Sequence, residues 1–296
     1  MKTTTLAIIA ALAFLFQMRA QTFNKEVIID GQAPYLLGKI DKHGLESNNY
    51  QSWFSTNFED YNVNDTIISS IAPELKHYDI IVFMGTWCGD SKQNVPKLYK
   101  VLEACNFPMD QLTVVAVSRA PNLYKQSPQH EEAGLNIHRV PTIIFFKDGK
   151  EVNRIVEYPM HSFEEDIEQI ITNTNYKPNY HIVTIVNDIL EEKGVKGLLG
   201  KQKKLVKQYK EIVQHRFELN TYGSILYNKN RTEEAIAVYR LNTKLFPEEP
   251  RTFMSLANTL GATNRKVDAI QVLEQALKLH PENSDLIENL EVIKSN

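Results

Sequence analysis

Ile80-Ile81-Val82-Phe83 runs on through three residues into Trp87-Cys88-Gly89-Asp90-Ser91, and this junction decides the fold. The first four residues are apolar and mostly β-branched, which reads as a buried strand. Beyond Ser91, Val95, Leu98, Val101 and Leu102 fall on one face of a helix, with Pro96 inside it. A cysteine therefore stands where a strand gives way to a helix.

Outward from that point, strands and helices continue to alternate. Leu112 to Val117 is a continuous apolar run, as expected of a strand covered on both faces. Thr142 to Phe146 form another strand, Asp148-Gly149 supplies a hairpin turn, and Glu151 to Tyr158 return. Ser162 followed by Glu165 is a capping-box pattern opening a helix that carries Phe163, Ile167, Ile170 and Ile171. Upstream, Glu26 to Gly31 read as a strand and turn and Tyr35 to Ile40 as a second strand. Asp65 reads as the N-cap of a helix through about Lys76. The expected architecture is an α/β sandwich, a central mixed sheet flanked by helices.

Residues 65–174 resemble the thioredoxin family. The turn is similar to Trp-Cys-Gly-x-Cys with serine at the second cysteine. Lys92 and Pro96 follow at the family's spacing, Val140-Pro141-Thr142 matches its cis-proline loop, and Phe146-Lys147-Asp148-Gly149 matches the hairpin beyond. The resemblance implies a site made of Cys88, Trp87, Ser91 and Pro141. A cysteine at a helix N-terminus has its thiolate favoured by backbone N–H groups and the helix dipole. Trp87 would shield the turn, and a cis Pro141 would present backbone to an incoming peptide. The implied activity is thiol–disulfide exchange.

Three departures alter that expectation. Ser91 has no sulfur with which to resolve a mixed disulfide. Val82 stands where the family commonly has a buried aspartate that assists the second cysteine. Asp90 replaces the usual proline and brings a carboxylate that opposes thiolate formation. The only other cysteine is Cys105. If residues 88–105 form one helix, the two cysteines lie roughly 25 Å apart at 1.5 Å per residue, far beyond the ~7 Å that a disulfide spans. Cys105 reads as a structural thiol at a helix end. Cys-Gly-Asp-Ser is also similar to the Cys-Gly-Phe-Ser turn of monothiol glutaredoxins, although Trp87 speaks against that family. His138 and Arg139 precede Pro141, where they could stabilise a thiolate, but they read more simply as a solvated loop.

Residues 175–180 read as a linker, and the rest of the chain as helical. A 34-residue period matches Tyr222-Gly223, Leu226, Ala235, Tyr239 and Pro247 with Leu256-Ala257, Leu260, Ala269, Leu273 and Pro281. Small residues at 223/257 and 235/269 let paired helices approach closely. Spacing and residue sizes resemble the tetratricopeptide repeat, with units at about 216–249 and 250–283, so the fold class is completed by an all-α tetratricopeptide-repeat-like domain over 181–296. Residues 181–215 are expected to form a degenerate preceding unit and 285–293 a closing helix. Asn242 replaces a small residue and suggests a looser junction. Such repeats imply a peptide or protein partner on their surface.

At 296 residues, with 43% hydrophobic and 23% charged residues, the chain has the composition of two globular domains. A net charge of −3 points to no nucleic-acid partner. Lys2 followed by the apolar Leu6 to Phe16 suits a secretory signal cleaved after Ala20, which leaves 21–64 as an N-terminal extension and places the protein in the periplasm or outside the cell. No membrane partner is expected after cleavage. The histidines show no metal-ligand spacing, and no cofactor is implied. The expected function is monothiol exchange through Cys88 with protein clients docked by the repeats, completed by an external thiol reductant. The alternative is a non-catalytic interaction or scaffold protein.

Overall fold

The computed structural model describes residues 23–213 and 216–295, so the expected signal segment, 1–20, lies outside the described residues. The chain divides into two compact units. One comprises Met1–Glu131 with Ile143–Val152, the other Glu132–Thr142 with Asn153–Asn296.

The first unit is built on a mixed five-stranded sheet in the order β3-β5-β4-β6-β7, with β3 at Gly38–Ile40, β4 at Asp79–Met84, β5 at Leu112–Ala116, β6 at Thr142–Lys147 and β7 at Lys150–Val156. β4 runs parallel to β5, with Val82 opposite Val114, and β3 is antiparallel to β5, with Lys39 opposite Val115. Ile80, Val82, Phe83 and Met84 are all fully buried, which explains the unbroken apolar run. A separate two-stranded ribbon pairs β1 (Glu26–Val27) with β2 (Tyr35–Leu36).

Helices flank the sheet. α1 spans Lys42–Leu45, α2 Gln51–Glu59, α3 Asp65–Leu75 and α4 Gly89–Ala104. α3 begins one residue later than its cap was expected. The N-cap is Asn64, whose Oδ1 accepts from the Thr66 and Ile67 N–H groups, so Asp65 is the first helical residue and contributes charge to the first turn. α2 packs on α4, with the Phe54 and Tyr99 rings edge to face at 5.7 Å. Pro96 inside α4 has no N–H to give the Lys92 carbonyl, and Asn57 of α2 supplies one at 3.2 Å. Residues set apart as an extension thus supply β3 and the helix that completes α4.

The second unit is mainly helical, and its non-helical parts among the described residues include the loop 132–142, the end of β7 and the connecting segments 157–162 and 172–180. It contains α5 (Phe163–Ile171), α6 (His181–Tyr209), α7 (Phe217–Asn228), α8 (Thr232–Leu245), α9 (Pro250–Ala262), α10 (Lys266–Leu279) and α11 (Ser284–Ser295). Ser162 caps α5 by accepting from the Glu165 N–H at 3.1 Å, as the capping-box pattern requires. α6 is broken at Gly194, whose φ of 60° and ψ of −167° interrupt the helix.

α7 packs on α8 and α9 on α10, and α8 and α10 begin 34 residues apart. Gly223 lies so close to α8 that a Cβ there would meet the Tyr239 ring at 2.6 Å. Ala235, Ala257 and Ala269 are fully buried at the matching contacts. The junction at Asn242 is filled rather than loose. Its side chain has no exposed surface, and its Nδ2 donates to the Arg216 carbonyl and to Asn220 Oδ1, each at 3.0 Å.

Candidate functional site

Cys88 is the N-cap of α4, with extended backbone (φ −91°, ψ 130°). Its N–H donates to the Gly85 carbonyl at 2.8 Å, and its carbonyl accepts the Lys92 N–H at 3.0 Å. The buried strand β4 thus delivers the cysteine to the positive end of a 16-residue helix. The cysteine is half-buried, and its Sγ lies 3.9 Å from Asp90 Oδ2, within reach for the thiol to donate.

Trp87 and Ser91 are held in the same turn by one glycine. The Trp87 ring lies against Gly85, where a Cβ would come within 2.6 Å of the indole, and its Nε1 donates to the Val117 carbonyl at 2.9 Å. The Tyr124 ring lies tilted beside it, with ring centroids 5.7 Å apart. Ser91 is fully buried, and its Oγ accepts the Gly85 N–H at 3.2 Å. The hydroxyl therefore does structural work in the place of the second cysteine. Thr86, also buried, accepts the Leu36 N–H at 3.0 Å and ties β2 to the underside of the turn. Sequence reading missed Gly85 and Thr86. The signal for Gly85 was a glycine two residues before an indole at a strand end, whereas Thr86 acts through a partner fifty residues away.

The two cysteines cap one helix at opposite ends. Cys105 is the C-cap of α4 and is buried, and no disulfide joins it to Cys88. Val82, six residues before Cys88, is fully buried and brings no carboxylate beneath the turn.

Pro141 lies just ahead of β6, the sheet neighbour of β4, and the Val140–Pro141 peptide is cis. Its carbonyl accepts the Glu157 N–H at 2.7 Å, and the Thr142 hydroxyl donates to the Arg139 carbonyl at 2.7 Å. The loop before it is not solvated. His138 is buried, its ring 5.8 Å from that of Tyr180 and 6.2 Å from that of Tyr222. Arg139 donates to Glu157 at 3.2 Å and to the Thr221 hydroxyl at 3.1 Å, with its guanidinium 4.7 Å from the centre of the Tyr180 ring. The Tyr180 hydroxyl donates to the second Glu157 oxygen, and burial together with that carboxylate lifts the phenol well above its ordinary range. Sequence spacing gave no sign of this cluster, because its members come from four separate segments.

The second unit also holds a pocket of about 250 Å³ whose lining includes Met160, Lys177, His181, Tyr209 and Ile212. Burial, with Lys177 nearby, holds the His181 imidazole below its usual value. Among the described residues no group of three or more His, Cys, Asp or Glu is placed to hold a metal ion, and no helix is long and apolar enough to cross a membrane.

Comparison with known proteins places these observations. A family model described as Thioredoxin matches residues 43–169, beginning in α1 and ending within α5. The chain is 36% identical over 77 residues to a thioredoxin of Chlamydia trachomatis, a stretch covering 26% of this chain and 66% of that one. It is 35% identical over 92 residues to a thioredoxin of Chlamydia muridarum, covering 31% and 78% respectively, and 34% identical over 77 residues to one of Chlamydia caviae, covering 26% and 66%. The matched stretch thus spans about two thirds of the length of the Chlamydia trachomatis relative. With a relative 35% identical over 78% of its own length, the chain belongs to the thioredoxin family.

Proposed function

We propose that this chain is an exported monothiol exchange protein whose helical unit, a set of tetratricopeptide-like repeats, docks its protein clients. In the first step the Cys88 thiolate attacks a client disulfide. A Cys88–client disulfide forms, and the client's other sulfur leaves as a thiolate. In the second step an external thiol attacks the mixed disulfide, restoring the Cys88 thiolate and carrying the client sulfur in a new disulfide. Pro141 presents backbone to the incoming peptide, and Trp87 shields one side of the turn.

The observation that carries this reading is the position of Cys88, half-exposed at the N-terminus of α4. The buried Ser91 and the placement of Cys105 at the far end of the same helix support the need for an outside thiol. The 34-residue offset of α8 and α10, with close packing at Gly223, supports the repeat reading. The apolar Leu6 to Phe16 supports export to the periplasm or beyond.

A second reading, a non-catalytic interaction protein using both units, draws on the Asp90 carboxylate 3.9 Å from the sulfur, which engages the thiol as a hydrogen-bond donor. Purification from the native host under thiol-blocking conditions, followed by mass spectrometry, separates the two. Monothiol exchange predicts partners disulfide-linked to Cys88, lost in Cys88→Ala. No adduct, together with an unchanged phenotype in Cys88→Ala, favours the scaffold. Rapid catalytic reduction of insulin would overturn the single-sulfur reading.

A further inference from the structure

We infer that the outer face of the second half of α6 docks the protein on an anionic phospholipid surface. The inference stands apart from the exchange function proposed above. Between residues 193 and 210 the chain carries seven lysines and no aspartate, glutamate or arginine. The net charge of −3 conceals this stretch, which reverses the expectation of no membrane partner. With the seven set aside, 26 basic residues stand against 36 acidic ones.

The helix sorts these lysines onto one side. Leu198, Gln202, Leu205 and Tyr209 turn to the core and are buried. Lys196, Lys203, Lys207 and Lys210 recur at i, i+7, i+11 and i+14, which puts them on the opposite side, and all four are exposed. The stripe is roughly 21 Å long at about 1.5 Å per residue. Leu199 lies along it with 44% of its surface exposed. Lys244 of α8 donates to Gln202 and adds an eighth ammonium at the helix's flank.

The charge is uncompensated. Among the described residues no carboxylate forms an ion pair with any of the seven, whereas Lys147, Arg231 and Arg265 are each paired with one. Lys193, more than any other neighbour, holds the Lys201 ammonium below its usual value. Such an excess of like charge is relieved by a polyanion. Lysine without arginine suits a diffuse anionic surface, because guanidinium forks are the groups that select single carboxylates or phosphates. Tyr209, the one aromatic residue of the stretch, is buried, which leaves no ring on this face to stack a nucleobase. A row of lysines on an amphipathic helix, with an apolar side chain among them, is the arrangement that anionic headgroups attract. The acidic remainder of the chain is repelled by the same lipids, so this face leads.

The test sediments the full chain with vesicles of phosphatidylcholine, either alone or mixed equally with phosphatidylglycerol. Wild type should bind the mixed vesicles and not the neutral ones. About 1 M salt, where the Debye length is about 3 Å, should release it. The variant Lys196→Gln/Lys203→Gln/Lys207→Gln/Lys210→Gln keeps good helix formers at exposed sites. It should bind several hundred-fold more weakly, at roughly fivefold per lysine. The same change at the exposed Lys25, Lys76, Lys150 and Lys278 is equal in charge and should weaken binding no more than about twofold. Leu199→Trp should show a blue-shifted emission on the mixed vesicles beyond any shift in wild type.

Equal losses from the two sets of four lysines would overturn the inference, as would neutral vesicles bound as tightly as mixed ones. Vesicle binding without a blue shift at position 199 would put another face on the lipid and refute the assignment to α6. Binding of polyglutamate without binding of vesicles would set an acidic protein in the lipid's place and overturn the inference equally. None of these outcomes bears on exchange at Cys88.

Discussion

The hydroxyl of Ser91 accepts the Gly85 N–H from a position with no exposed surface, so Ser91→Ala strands a buried backbone donor. Such a group costs about 1–3 kcal/mol, which should appear as a lower urea midpoint with an unchanged slope. A midpoint equal to wild type would show that the turn is held by Trp87 and the strand alone. At this scale the sequence was readable where the chemistry is local. Cys88, Trp87, Ser91 and Val82 declare themselves by their order along ten residues. Gly85, Thr86 and Asn57 do not, because each is defined by a partner brought from elsewhere: an indole, the Leu36 N–H, and the carbonyl that Pro96 leaves unbonded. His138 and Arg139 were misread for the same reason, since no spacing connects them to Tyr180, Thr221 or Tyr222.

Among the elements, the α7–α8 pair carries a compensation that the 34-residue period conceals. Gly223 faces Tyr239, while the matching positions hold Ala257 and Leu273, so one pair has the smaller backbone residue and the other the slimmer side chain. Gly223→Ala should therefore cost about 1–3 kcal/mol through overpacking against the Tyr239 ring, despite its better helix propensity. Adding Tyr239→Leu, which copies the second pair, should recover most of the loss. Thermal melts followed by circular dichroism at 222 nm decide the matter, and full additivity of the two losses would reject the pairing. Helix existence was legible from the apolar period in nearly every case. Boundaries were less so. Asn64 and Asp65 are both good caps and differ by one position, and Gly194 breaks α6 inside a segment whose apolar residues continue on both sides.

For the molecule as a whole, the sequence separated the sheet-bearing and helical parts correctly in kind but drew their membership too simply. The strand expected over 35–40 ends in β3, which lies in the main sheet, whereas residues 41–59 look featureless, with α1 too short at four residues to show a period, yet α2 backs the cysteine helix. Residues 132–142 fall between two strands of that sheet yet group with the helices. A chain ended at Thr174 removes Tyr180, Thr221 and Tyr222 and should leave Arg139 open to protease. Limited trypsin digestion with peptide mapping should find rapid cleavage after Arg139 in the shortened chain and protection in the full one. Equal cleavage in both would show that Glu157 alone holds the loop.

The two cysteines at opposite ends of α4 give the protein an unusual oxidation chemistry. No internal ring can close within the folded chain, so every disulfide it forms adds mass, whether from a small thiol, a client or a second copy. On a non-reducing gel or in an intact-mass spectrum, its redox history is therefore written as company kept, with each adduct naming its own donor.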